Sequence, residues 1–187
     1  MFAGYGRTGR MWACDHAGVT PDIMCLGKAF STLIPMGATL VTEAVFEAFR
    51  GGKDRTLYYG HTFCGNPIGA ALAREVLAIY RDEAIVAEVQ AKAPRIEAAF
   101  GRIGALPGVE RVRSVGMIGA ADLAPSGQAS YFGESGWRVY EEGKKRGAYL
   151  RPLGDTVYVC PPLNITERDL DDLLGILEAS IVAAKAG

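Results

Sequence analysis

Three places in this 187-residue chain carry side chains able to do chemistry. Lys28 closes the run Asp22-Ile23-Met24-Cys25-Leu26-Gly27, so an amine stands at the end of an apolar stretch beside a glycine. At the end of a buried strand it would be desolvated, its pKa would fall, and the neutral amine would attack carbonyl carbon, which makes Lys28 a candidate for carrying an aldehyde cofactor. The alternative is a strand-end lysine reaching water from an exposed turn, the usual fate of this residue. The second place is Tyr58-Tyr59-Gly60-His61-Thr62-Phe63-Cys64-Gly65-Asn66-Pro67, a glycine-punctuated loop that leads into a helix. A hydroxyl among the backbone N–H groups of such a loop suits a phosphate, and it equally suits the stabilisation of a turn. The third is Gly4-Tyr5-Gly6-Arg7-Thr8-Gly9, which spells G-x-G-x-x-G. Residues 1–3 are too few for the strand that a dinucleotide site needs before it, and Asp22 precedes an apolar run instead of ending one. These glycines read as a backbone that turns sharply and packs close to something.

Punctuation and periodicity outline the elements that must position these groups. Buried strands are predicted at 22–26 and 36–42, then a helix over 43–50 with Val45, Phe46 and Phe49 on one side and Gly51-Gly52 as its stop. A helix from about 67 carries Ile68, Leu72, Val76 and Ile79 at helical spacing, and a second carries Ile85, Val89, Ile96 and Phe100, with Pro94 ending or kinking it. Strands follow at 109–113 and 115–123, a turn-rich stretch at 124–130, and a helix over 134–146 closed by Gly147. Short strands at 148–151 and 155–160 flank Arg151-Pro152. The last helix is capped by Thr166 with Asp169 at its third position, and aligns Leu170, Leu173, Leu174, Leu177 and Ile181. This order divides into residues 1–81, which look like an incomplete α/β unit, and a small α+β unit of residues 82–187.

A hydrophobic content of 49% supports a real core, and a net charge of -1 gives no electrostatic reason to capture nucleic acid or acidic lipid, so the expected ligand is small. No apolar run approaches the roughly 20 residues of a membrane span and no leader pattern is present, so the expected location is the cytoplasm. Cys14, Cys25, Cys64 and Cys160 are scattered without a C-x-x-C pair. They and His16 read as structural, with no metal site.

As an ordered set, residues 4–9, Pro21-Asp22-Ile23 with Leu26-Gly27-Lys28, Gly60-His61-Thr62-Phe63 with Gly65-Asn66-Pro67, and Leu150-Arg151-Pro152-Leu153-Gly154 resemble the class III pyridoxal-phosphate-dependent aminotransferases. The resemblance runs over essentially the whole chain and matches the C-terminal part of such an enzyme. It implies the α/β architecture of a fold-type I transferase, with part of the large cofactor-binding domain in residues 1–81 and the small C-terminal domain in 82–187. It implies that Lys28 forms the Schiff base with pyridoxal phosphate, that Thr62 and the backbone near His61 bind the cofactor phosphate, and that Gly60 lies against substrate. Arg151 would hold the carboxylate of a keto acceptor, which suits a planar fork of donors in an apolar setting. Arg7 and Tyr158 would lie near the same substrate. In this family the loop around Thr62 reaches the neighbouring subunit's site, which implies a homodimer with composite active sites.

The stretch from Arg151 through Val157-Tyr158-Val159-Cys160-Pro161-Pro162 resembles the biotin-pathway branch of the class. That implies amination of 8-amino-7-oxononanoate, with S-adenosylmethionine or another amine as donor. Another omega-aminotransferase, a non-catalytic interaction module and a nucleotide-binding oxidoreductase are the alternatives. On the same resemblance, the aspartate that binds the pyridine nitrogen falls just upstream of Phe2. The expectation is therefore an incomplete enzyme that transaminates poorly by itself.

Overall fold

The computed structural model describes residues 2–29, 34–125 and 131–186. In chain order the elements are a 3-10 turn (Ala13–Ala17), β1 (Ile23–Leu26), β2 (Ala38–Val41), α1 (Glu43–Glu47), α2 (Pro67–Asp82), α3 (Ile85–Gly104), β3 (Val109–Val115), β4 (Ile118–Leu123), α4 (Ser135–Lys145), β5 (Thr156–Val159) and α5 (Glu167–Ala186). Phe30, at the end of the lysine-bearing stretch, and residues 126–130 of the turn-rich stretch lie outside the described residues. No described helix is long and apolar enough to cross a membrane.

The core belongs to the second half of the chain. Strands β3, β4 and β5 form an antiparallel sheet in that order, with Val112 opposite Ala121 and Ala121 opposite Val157. Alternation then sorts the side chains. Ala121, Leu123, Val157 and Val159 turn inward to Ile96, Phe100 and Ile103 of α3 and to Leu170, Leu174, Leu177 and Ile181 of α5. Asp122, Thr156 and Tyr158 turn to the other face. Gly119 of β4 has to be glycine because an added Cβ would stand 2.1 Å from Cε2 of the buried Phe100 ring.

The local signals for α5 act as read. Thr166 Oγ1 accepts from Asp169 N–H at 3.1 Å and donates to Asp169 Oδ2 at 2.8 Å, so the cap and the first-turn acid hold each other. The helix α3 does not end at Pro94. Its buried stripe of Val89, Ile96, Ala99, Phe100 and Ile103 binds both sides of the proline to one core, and that packing outweighs one missing N–H on an exposed face. The strand predicted at 148–151 does not form; just beyond it, a single bridge joins Leu153 to Thr156 across the Gly154-Asp155 turn.

The first half corrects two expectations. Strands β1 and β2 form an antiparallel ribbon, Ile23 opposite Val41 and Leu26 opposite Ala38, but they are not buried. Ile23 is 56% exposed and Leu40 50%, because neither strand packs extensively on another element among the described residues. Helix α1 stops at Glu47, and its Phe46 and, just past its end, Phe49 stay exposed for the same reason.

Candidate functional site

Residues 4–12 turn back on themselves as their glycines require. Tyr5, Gly6 and Gly9 all have positive φ, and Gly9 N–H donates to Gly6 O at 2.9 Å. What the turn packs against is the β3–β4 hairpin. At Gly116 a Cβ would lie 2.4 Å from the carbonyl carbon of Thr8, and Met117 N–H donates to Arg7 O at 2.9 Å.

Lys28 follows β1 and the buried Gly27 in the left-handed region, at φ +69°, a conformation that costs a non-glycine residue about 1–2 kcal/mol. Its side chain is exposed, which overturns the expectation of a desolvated amine at the end of a buried strand. The physical reason is the bare ribbon on which it stands.

The loop at residues 58–67 is exposed throughout, with Tyr59 and Phe63 each 82% accessible. Its turn is held by His61, whose Nδ1 accepts from Phe63 N–H at 3.2 Å and whose carbonyl accepts from Cys64 N–H at 2.9 Å. The Thr62 hydroxyl makes no hydrogen bond among the described residues, so stabilising the turn is not its task here. The loop feeds α2 through Asn66, whose Oδ1 accepts from Ile68 N–H at 2.9 Å and Gly69 N–H at 3.3 Å, with Pro67 as the first helical residue. Between this loop and residues 34–37 lies a cleft of about 810 Å³, lined by Pro35, Met36, His61, Phe63, Asn66 and Gly69 among others. Lys28, Gly60, Thr62 and Arg151 are not on its walls.

Arg151 precedes the tight turn into β5, and Tyr158 lies within that strand. Leu153 and Thr156 exchange backbone hydrogen bonds of 2.8 and 3.0 Å across the Gly154-Asp155 turn, which leads from Arg151 into the strand that bears Tyr158. Burial alternates along both stretches: Leu150, Pro152, Val157 and Val159 are buried, whereas Arg151 is exposed and Tyr158 half-buried. Arg151 was expected in a buried apolar context, and only its neighbours are buried. The reason is the local alternation of the extended segment before the turn, which buries Leu150 and Pro152 and leaves Arg151 between them outside. No hydrogen bond or ion pair occupies its guanidinium among the described residues. On the sheet face that carries Tyr158, Asp122 accepts from Thr156 Oγ1 at 2.8 Å, Arg113 Nη1 at 2.8 Å and Arg111 Nε at 2.9 Å. Burial by itself would raise the Asp122 carboxyl, and these three donors together hold it below the ordinary carboxylate value.

Arg7 is half-buried, and its Nη1 donates to the backbone carbonyl of Pro161. Cys160, next to that carbonyl, has its thiol pushed up by burial and drawn down in part by the Arg7 charge. Sequence reasoning missed the cleft residues Met36 and Asn66. The Asn-Pro pair at a helix start was the legible signal for Asn66, and nothing local marked Met36.

The family model described as Aminotransferase class-III matches residues 1–181. The chain is 35% identical over 187 residues to the adenosylmethionine-8-amino-7-oxononanoate aminotransferase of Nitratidesulfovibrio vulgaris, covering 96% of this chain and 34% of the relative. It is 37% identical to the protein of the same name in Geobacter sulfurreducens, covering 98% and 42%, and 29% identical to a probable gamma-aminobutyrate transaminase 2 of Oryza sativa subsp. indica, covering 99% and 39%. The crystal structure of an adenosylmethionine-8-amino-7-oxononanoate aminotransferase from Methanocaldococcus jannaschii superposes with a TM-score of 0.86 at 31% identity, covering 96% of this chain and 44% of that one. The chain thus spans less than half the length of these relatives.

Proposed function

The chain belongs to the class III aminotransferase family, and from that premise we propose that it supplies the cofactor lysine and the acceptor-carboxylate site of a pyridoxal-phosphate-dependent aminotransferase. The acceptor we propose is 8-amino-7-oxononanoate, with S-adenosylmethionine or another amine as donor, in keeping with the names of the relatives. The observation that carries this reading is Arg151, exposed and without a hydrogen bond or ion pair among the described residues, which a tight turn separates from β5 and its half-buried Tyr158. A guanidinium fork binds carboxylate through two parallel hydrogen bonds, and a phenol beside it offers a wall and a hydroxyl.

Enzymes of this family work with pyridoxal phosphate, and the donor set fits that group. Lys28 offers a primary amine to an aldehyde, and Thr62 offers a hydroxyl with no hydrogen bond among the described residues, in a loop flanked by glycines. When bound, the cofactor supplies an electron sink for the donor's α-carbon. Lys28 Nζ would be the amine that holds the cofactor and, when free, the base that moves the donor's α-proton. Thr62 and the backbone near His61 would hold the phosphate, Gly60 would let the backbone approach substrate, and Arg151 and Tyr158 would hold the acceptor's far end. The full exposure of the loop at 58–67 supports its serving the site of a second subunit, in a homodimer of composite sites.

A second reading takes another omega-amine acceptor, and the similarity to a gamma-aminobutyrate transaminase favours it. Acceptor kinetics separate the two. The family reading itself is tested by titrating the chain, or an enzyme of the relatives' length that contains it, with pyridoxal phosphate. A visible absorbance band lost in Lys28→Ala is expected; a band indifferent to that change would sink the assignment.

A further inference from the structure

Arg7 was expected at the substrate, yet its guanidinium has a different partner. Its Nη1 donates to Pro161 O, which lies 154 residues further along the chain, and no carboxylate pairs with it among the described residues. The segment that carries it is fixed on several sides. Arg7 O accepts from Met117 N–H at 2.9 Å, and Gly9 O accepts from Gln90 Nε2 at 2.7 Å. Tyr5, 4% exposed, stands edge-on to Trp12 at 5.0 Å and to Tyr80 at 6.1 Å. Gly6 sits against Val86 and Leu163 so closely that a Cβ there would meet them at 3.4 and 3.8 Å.

Arg7 therefore ties together two stretches with different tasks. One runs on through the 3-10 turn to β1 and Lys28. The other continues β5 (Thr156–Val159), which bears Tyr158 and is joined to Arg151 through the Leu153–Thr156 bridge and its turn. We propose that Arg7 is a positioning residue: by holding the Pro161 carbonyl it fixes β5 and the turn that leads to Arg151 relative to the segment that leads to Lys28, and so sets the length of acceptor whose keto and carboxylate ends are held together. A neutral carbonyl is a suitable partner, because it orients the guanidinium through a charge-assisted hydrogen bond and leaves its charge intact. Lysine at this position keeps a charge and a donor but loses the planar fork. The acceptor-length part rests on the proposed roles of Lys28 and Arg151; the tie to Pro161 does not.

Hydrogen exchange read by mass spectrometry on the 187-residue chain tests the tie without cofactor or substrate. Arg7→Gln speeds exchange in peptides spanning 156–160 roughly tenfold, the effect of losing a hydrogen bond from a charged donor, while peptides spanning 170–181 stay unchanged. Arg7→Lys recovers part of the protection, and Gln90→Ala, which removes only the bond to Gly9 O, leaves 156–160 unchanged. Unaltered exchange in 156–160, or an equal rise in 170–181, overturns the tie. If Arg7→Gln does not fold, Arg7→Lys against Gln90→Ala carries the same comparison.

In an enzyme of the relatives' length that contains this chain, Arg7→Gln lowers the kcat/KM preference for a long over a short keto acid roughly tenfold, equivalent to about 1.4 kcal/mol. Once Arg151→Ala is in place, it adds no further loss for the acceptor. Faster exchange without any change in acceptor preference overturns the positioning role and leaves the Lys28 assignment standing. Loss of the Lys28-dependent absorbance assignment overturns the acceptor-length part, and faster exchange at 156–160 still supports the tie.

Discussion

Asp155 caps a helix that begins 20 residues before it: its Oδ1 accepts a hydrogen bond of 3.1 Å from the backbone N–H of Ser135, the first residue of α4. Glu134, the residue that the sequence places at the cap, makes no capping bond with its side chain. The cap thus joins the β5 turn to α4, and the carboxylate faces the positive end of the helix.

Asp155→Ala should destabilise the chain by about 0.5–2 kcal/mol, the usual cost of a lost N-cap, whereas Glu134→Ala should change little. Asp155→Asn, which keeps the acceptor, should fall between the two. Urea midpoints for the three variants check this, and equal effects of Asp155→Ala and Glu134→Ala would contradict the cap.

Gly116 and Gly18 separate steric contact from backbone strain. Both have positive φ, +54° and +63°, but a Cβ at Gly18 meets nothing within 4 Å and one at Gly116 meets the Thr8 backbone at 2.4 Å. Alanine at either position bears the left-handed penalty of about 1–2 kcal/mol. Gly116→Ala should cost about 1–3 kcal/mol beyond that, because backbone has to move apart. Thermal unfolding of the pair reads the difference directly.

Asp122 should make stability fall on the acid side. Its carboxyl titrates below its ordinary value of 3.8 when folded, so the folded state binds its proton less readily than the unfolded chain does. The contribution is fully present above 3.8 and is lost as the pH falls through the lower folded-state value. Asp122→Asn should flatten that acid limb. A denaturation series from neutral pH downward checks it, and an acid limb of unchanged slope in the variant would remove Asp122 as its cause.

Arg151→Ala, in an enzyme of the relatives' length, should weaken acceptor binding by about 1.5–3 kcal/mol, the worth of hydrogen bonds to a charged group. The amino-donor half-reaction should change much less. Equal damage to both half-reactions, measured by stopped-flow absorbance, would make Arg151 a structural residue.

What the sequence by itself determined were the features coded within a few residues of one another. The stripe and Thr166 cap of α5, the Asn66-Pro67 start of α2, the closing Gly147 of α4 and the glycine turns at residues 4–9 all appear where reading placed them, because caps, turns and helical faces depend on near neighbours. The ordered motifs around Lys28, the 58–67 loop and Arg151 identified the family in the same way, as short local signatures. Tertiary structure decided which apolar faces are covered. Strands β1 and β2 and the Ile68–Ile79 side of α2 carry patterns fit for burial, yet Ile23, Leu40, Ile68 and Ile79 remain exposed. It decided that α3 continues through Pro94, that Asp155 caps α4, and that Arg7 meets the Pro161 carbonyl. A periodic pattern encodes a face, but burial also needs a complementary surface, and that surface is supplied by residues far away in the chain.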